Sequence, residues 1–342
     1  MSVSLHPVAA ALFASYCQDI ARMNNVDNVA RTFSVAPAVE QRIINAYQES
    51  AEFLGRINIF TVDAGRGEKL ALSLNTSIAG NTDTRVNPRR PTIVGDVEQL
   101  DEYECTQTDY DVGYKWAFLN AWRHKADFKS RLAKMVITAI ALDKITMGFN
   151  GIYRAATSNR AINPLLQDVK KGWLQKIREN APEQHYDGED IGGVHKILVG
   201  AGHDYETLDG LVEHAVDTYI AEQHRDGGDL VVICGRGILS DKYLPLLNKA
   251  QDPTEQIAAR IIYANKQLGT LPAVHVPKFP ANAMLITSYD NLSIYVQNGT
   301  LNRFIQSEPQ WNRDADYQSI NEDFVIEDYT KCVLLENIEV AN

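Results

Sequence analysis

The chain has 342 residues and a formal net charge of −11, from 33 basic and 44 acidic side chains. That length can bury a substantial core, most naturally as two lobes. The acidic balance excludes general nucleic-acid binding, which draws its affinity from Lys and Arg. Residues 4 to 23 then read as an amphipathic helix, with Pro7 near its start and a stripe of Leu5, Val8, Leu12, Phe13, Tyr16 and Ile20. Joined to the rest by the turn-prone MNNVDN, this helix either docks on a partner or neighbouring copy, or packs on its own domain. The opening residues lack the basic start, apolar run and cleavage site of a signal peptide, and no stretch reaches roughly 18 consecutive apolar residues. A soluble cytoplasmic protein with no membrane partner is expected. Cys17, Cys105, Cys234 and Cys332 are scattered without a CxxC pair, as thiols of a reducing compartment are.

A second helix is expected from Pro37 to about Leu54, ended by Gly55. INIFTVDAGRGEKLALSLNTSIAG follows and reads as two strands around the turn DAGRGEK. The polar stretch GNTDTRVNPRRPT buries little. It carries Arg85, Arg89 and Arg90, with Arg66 and Lys69 near the first turn, so an acidic chain places local positive charge on a projecting element. These cations either belong to a solvated loop or complement an acidic patch on a neighbouring copy. Residues 57 to 113 together form a long two-stranded excursion, which needs outside support because an isolated hairpin is marginal in water.

Tyr114 to Gly151 carries apolar residues at three- and four-residue steps, among them Trp116, Leu119, Trp122, Ala126, Leu132, Val136, Ile140 and Ile145. One helix of about 33 residues, roughly 50 Å long, is expected, stopped by Gly148 and Gly151. A shorter helix carrying Trp173, Leu174 and Ile177 follows a loop. Residues 182 to 204 read as a Gly- and Asp-rich loop around a short strand, and Thr207 to about His224 as a helix. DLVVIC is a continuous apolar run, expected as a buried strand and followed by a turn and helix. Residues 271 to 305 and the tail from Asn321 read as further strands. The class is α+β, without internal repeats.

Chemical motifs are scarce. DLVVICGRGILSDKY has the strand, glycine turn and helix of a phosphate site but neither GxGxxG nor GxxxxGK[ST]. The eight histidines show no HExxH or other ligand spacing, and there is no GxSxG. The acids of EDIGG and NEDF read as solvated loop charges. No catalytic residue, cofactor or metal is expected.

Four stretches nevertheless resemble one family, in order: ESAEFLGRINIFTV, MGFNGIYRAATSNRAINPLLQDVKKGWLQKIRENAP, DLVVICGRGILSDKYLPLLNK and LGTLPAVHVPKFPANAMLITSYDNLSIY. The chain from about Phe33 to Val340 is similar to the P2-like major capsid proteins of tailed bacteriophages, which have the HK97-like fold. The resemblance implies an N-arm (1–56), an E-loop (57–113), a P-domain (114–159 and 275–325, spine helix 115–149) and an A-domain (160–274 and 326–342). It implies pentamers and hexamers of an icosahedral procapsid, built in the host cytoplasm with a scaffolding protein and a portal protein. That shell expands as double-stranded DNA is packaged, touches the DNA non-specifically and becomes part of the virion. In such a shell Arg66, Lys69, Arg85, Arg89 and Arg90 would make inter-subunit contacts, and the Leu5–Ile20 stripe would dock the N-arm. Family members are trimmed by a phage protease at a position matching Phe33–Ser34, in ARTFSVAP. An encapsulin-like compartment shell and an α/β nucleotide-binding enzyme using the DLVVICGRG turn are the alternatives.

Overall fold

The structure, a computed structural model, describes residues 4–69, 81–86, 88–89, 101–125, 127–239, 242 and 266–340. Arg90, Ala126, the segment LALSLNTSIAG and most of the expected helix after Gly237 lie outside the described residues.

Helix α1 (Pro7–Met23) has Pro7 in its first turn, and its N-cap is the His6 ring, which accepts from Val8 N at 3.2 Å. Strand β1 (Phe33–Ser34) precedes α2 (Pro37–Ser50). That second helix stops short of Leu54 because Ala51 turns extended, at φ −138 and ψ 118. Strand β2 (Asn58–Val62) precedes the expected turn, β3 (Arg66–Lys69) takes up the second half of it, and the two do not pair with each other. β2 runs parallel to a strand far along the chain, and β3 forms a two-stranded ribbon with β4 (Asp101–Glu104). β5 (Thr106–Asp109) and β6 (Val112–Lys115) lead into the helical region.

The single long helix is in fact two, α3 (Trp116–Trp122) and α4 (Phe128–Asn150). Leu119 and Phe128 are both buried in one core, yet nine residues separate them. At about 100° per residue they would lie half a turn out of phase on a continuous helix, on opposite faces. The chain resolves this with turns at Trp122–Lys125 and Lys125–Phe128, after which Asp127 restarts the helix by accepting from Arg131 N and Nε. α4 is about 35 Å long. It passes through Gly148 and is capped at Gly151. Gly148 is there for packing, since a Cβ at that position would collide with the Trp173 ring.

The remaining elements are α5 (Trp173–Asn180), β7 (His185–Tyr186), β8 (Glu189–Asp190), β9 (His195–Val199), α6 (Leu208–Tyr219), α7 (Glu222–Arg225) and β10 (Val231–Cys234). Then come β11 (Gln267–Leu268), β12 (Leu271–His275), β13 (Met284–Thr287), β14 (Leu292–Gln297), β15 (Asn302–Glu308), β16 (Arg313–Ile326), β17 (Val333–Leu335) and β18 (Ile338–Val340).

Two sheets organise them. In the larger, the 14-residue β16 pairs with β15, β14, β5 and β6, with β1 and β2 added outside β15 and β14. The other has the order β11-β12-β10-β13-β17-β7. Its strands face two cores at once. Ile233, Leu285 and Leu334 join the core of α1, α2 and α4, while Val232, Cys234, Ile286 and Val333 join a second core under α6. Burial on both faces is why DLVVIC is apolar without alternation. Met284–Thr287, within the 275–325 range, belongs to this second sheet through its register with β10.

Candidate assembly site

The alternate residues Asp314, Asp316, Gln318, Ile320, Glu322, Phe324 and Ile326 of β16 are all buried. Their acids form a polar seam, and every carboxylate in it has a partner from a different element. Trp116 Nε1 donates to Asp314 at 3.2 Å. Arg303 donates twice to Asp316, at 2.8 and 2.6 Å, and once to the Tyr16 hydroxyl of α1 at 3.2 Å. Tyr110 donates to Glu322 at 2.6 Å, and the Lys144 ammonium of α4 closes on the same carboxylate. Lys170 reaches the carbonyls of Thr106, at 2.9 Å, and of Glu322. The seam thereby fixes α1, the strands at the base of the ribbon, α3 and α4 to one strand.

Burial alone would push the Glu322 pKa up. The Lys144 and Lys170 charges, with the hydrogen bonds from Lys144 and Tyr110, hold it below the usual glutamate range. Burial lowers Lys170 to about 8 against the opposing pull of Glu322 and Asp323. Asp314 is raised by burial, which its hydrogen bonds from Ser307 and Trp116 offset only in part. Such groups are stable inside only while paired. Glu322 and Asp323 of NEDF are therefore not solvated loop charges: both are buried, and Asp323 accepts from Lys176 at 2.8 Å. The period-2 spacing of Asp314, Asp316 and Glu322 is the sequence signal that would have shown this strand.

The candidate contact residues are dispersed. Arg66 is paired within the ribbon to Glu102, and Lys69 lies opposite Asp101 in the ladder. Arg85 and Arg89 are exposed, in the described part of the chain between β3 and β4, where Val86 is 76% exposed. Of the N-terminal stripe, Phe13, Tyr16 and Ile20 are buried against the chain's own body, Leu5 and Leu12 are half-buried, and Val8 stays exposed. The Phe13 ring meets Tyr114 at 5.7 Å, and Lys129 of α4 donates to Ser15 and Asp19 of α1. Phe33–Ser34 is paired in the large sheet, opposite Arg303 and Asn302, so cleavage there requires local opening. Gly235 in the DLVVICGRG turn serves close packing, because a Cβ there would collide with the Ala281 carbonyl.

Comparison with known proteins places this architecture. A profile of the family described as phage major capsid protein, P2 family, matches residues 12–338. The capsid proteins of Escherichia phage P2 are 42% identical over 336 residues, covering 96% of this chain and 94% of the relative. The major capsid protein of Serratia phage KSP20 is 35% identical, covering 98% and 97%. A chain of the satellite phage P4 procapsid, solved with the size determination (Sid) protein, superposes with a TM-score of 0.81 at 39% identity, covering 99% of both chains. The fold is thus the HK97-like capsid fold, and the encapsulin-like alternative gives way. The two-core body, the seam and a match along nearly the whole length lead to one conclusion: this chain belongs to the P2 family of tailed-phage major capsid proteins.

Proposed function

We propose that the chain is the repeating subunit of an icosahedral procapsid, arranged as pentamers and hexamers, and that it encloses packaged double-stranded DNA. In this reading residues 1–56 form the N-arm and the β3–β4 ribbon with the segment it carries forms the E-loop. The larger sheet with α4 forms the P-domain, and the second core forms the A-domain. The observation that carries the reading is the exposure of residues 81–86 and 88–89. Ordering a backbone residue costs about 1–2 kcal/mol, and a polar stretch that touches little of its own chain must recover that elsewhere. A neighbouring subunit supplies the contacts, with Arg85, Arg89 and Arg90 meeting its carboxylates. Arg66 is already paired to Glu102, so its share is to stiffen the ribbon and orient it.

A scaffolding protein and a portal protein complete the assembly, which takes place in the host cytoplasm and ends in the virion. Contact with the packaged DNA is non-specific, as befits an acidic chain. A phage protease trims the N-arm at Phe33–Ser34. The subunit turns over no substrate and uses no cofactor, a reading supported by the lack of any site motif and by the packing role of Gly235. Sedimentation of the chain co-expressed with its neighbouring genes tests this: particles of megadalton size are expected. A stable monomer with a saturable substrate would overturn the proposal.

A further inference from the structure

One polar pocket holds buried acceptors that no described residue answers. It lies between β5, α4 and the loop from α4 to α5, and encloses about 290 Å³. β5 contributes Thr108, α4 contributes Asp143, and the loop contributes Arg154, Arg160 and Asp168. Asp168 is 2% exposed and Thr108 is 3% exposed. One oxygen of Asp168 accepts from Asn159 N at 2.6 Å, and its main-chain carbonyl accepts from Ala155 N at 2.8 Å. The carboxylate is therefore clamped in the pocket wall. Its other oxygen, Oδ1, and the Thr108 hydroxyl have no hydrogen-bond partner among the described residues. Buried polar atoms are nearly always paired, because leaving one unpaired costs free energy.

The surrounding charges indicate what would pair them. Asp143 is half-buried and makes no ion pair or hydrogen bond among the described residues. Burial pushes its carboxyl up, and the Arg160 charge draws it back only in part. The buried lysines of α4 and of the loop are engaged elsewhere, Lys144 on the Glu322 carboxylate and Lys170 on the carbonyls of Thr106 and Glu322. Asp109, the third acid of the lining, is held by Gln107 Nε2 at 2.8 Å. The floor thus offers acceptors, while Arg154 and Arg160 stand exposed at the rim. An anion entering would face two carboxylates. A metal ion is not suited either, since no cluster of metal-binding side chains forms among the described residues. A positively charged hydrogen-bond donor fits, with its stem against Met147, Leu166 and Val169.

We propose that this pocket binds a primary ammonium or guanidinium group, which donates to Asp168 Oδ1 and the Thr108 hydroxyl with Asp143 as its counter-charge. The group comes either from a Lys or Arg side chain of another copy or from a free diamine, and the chemistry asked of it is the same. The proposal goes beyond the shell reading, because the whole pocket lies in one chain and binding is measured on the soluble chain.

The test uses the full-length chain and two probes: agmatine, which carries both cationic groups, and butyrate, which carries the opposite charge on an alkyl stem. Agmatine should raise the melting temperature and shield Asp143 from carbodiimide-driven amidation, and butyrate should do neither. Asp143→Asn and Thr108→Val should each weaken agmatine by about tenfold or more. Neither should lower the melting temperature of the unliganded chain. An acid raised by burial destabilises the fold above its pKa, and an unpartnered buried hydroxyl opposes folding. A purely structural role for either group predicts the opposite sign. Arg160→Gln should tighten agmatine by removing a competing positive charge. Particles assembled from the chain and dialysed free of diamine give the source. Asp143 shielded there, and open in Thr108→Val particles, assigns the group to another copy; shielding that appears only on adding agmatine assigns it to a free diamine. Equal effects of agmatine and butyrate, unchanged agmatine affinity in both variants, or Asp143 open to amidation under saturating agmatine would overturn the proposal. So would binding of butyrate or inorganic phosphate that is lost in Arg160→Gln, which would make this an anion site.

Discussion

Glu322 is fully buried with a charge, and its neighbours decide whether that is tolerable. Lys144 pairs with it while sitting 5.0 Å from the Tyr110 ring centroid and 5.5 Å from that of Tyr47. Removing one partner of a buried pair strands the other, at a cost of about 3–5 kcal/mol. Lys144→Met should lower the unfolding free energy of the soluble subunit by that amount in a urea titration; a loss under about 1 kcal/mol would contradict the seam's role. Glu336 gives a pH dependence. Burial opposes its charge, but the two hydrogen bonds from Arg178, at 2.7 Å each, and that from His185 bring its pKa from 4.5 down to about 2. A depressed carboxylate stabilises fully above its unfolded pKa and loses that contribution as pH falls through its folded one. About 3 kcal/mol should therefore disappear between pH 4.5 and 2. Glu336→Gln should be less stable at neutral pH and flatter across that window, and an unchanged acid limb would contradict the assignment. None of these partnerships could be read from the chain. Asp and Glu are depleted from strands, so NEDF looks like a loop until Lys144, some 178 positions away, is placed beside it.

Elements were legible in proportion to how far a local pattern decides them. DLVVIC was plain because apolar neighbours cover both faces of β10. The break between α3 and α4 was obscured because steps of three and four, bridged by Ala126, accommodate a drift that only accumulates between Leu119 and Phe128. Gly148 looked like a stop and is a contact. Gly→Ala inside a helix ordinarily gains about 1 kcal/mol. Overpacking against the fully buried Trp173 costs about 1–3 kcal/mol, so Gly148→Ala should be net destabilising in thermal unfolding, and a gain in stability would contradict the packing. The β3–β4 ribbon makes the opposite kind of prediction, since in the proposed shell what orders residues 81–86 lies on another subunit. Amides of residues 81–86 should exchange fast in free subunits and slowly in shells, and equal protection in both states would contradict this. Exposed pairs are worth about 0–1 kcal/mol each and are screened by salt. Reversing Arg85, Arg89 and Arg90 to Glu should weaken assembly as a group, most at low salt, and normal shells from the triple variant would count against the contact.

At the scale of the molecule, a 14-residue strand ties the N-terminal helix, the ribbon base and α4 into one body. The six-stranded sheet joins that body to the second core. The order of elements and four sequence stretches were enough to suggest this architecture from the chain alone. The sequence left out where each excursion comes to rest, because in the proposed shell those contacts belong to neighbours. That gap is also the central claim: the chain is built to be completed by its copies. Electron microscopy of particles from the chain co-expressed with its neighbouring genes tests it most directly. The account predicts closed icosahedral shells of pentamers and hexamers, with residues 81–89 of each subunit lying across the next. Isolated subunits, or shells in which that segment folds back on its own chain, would contradict it.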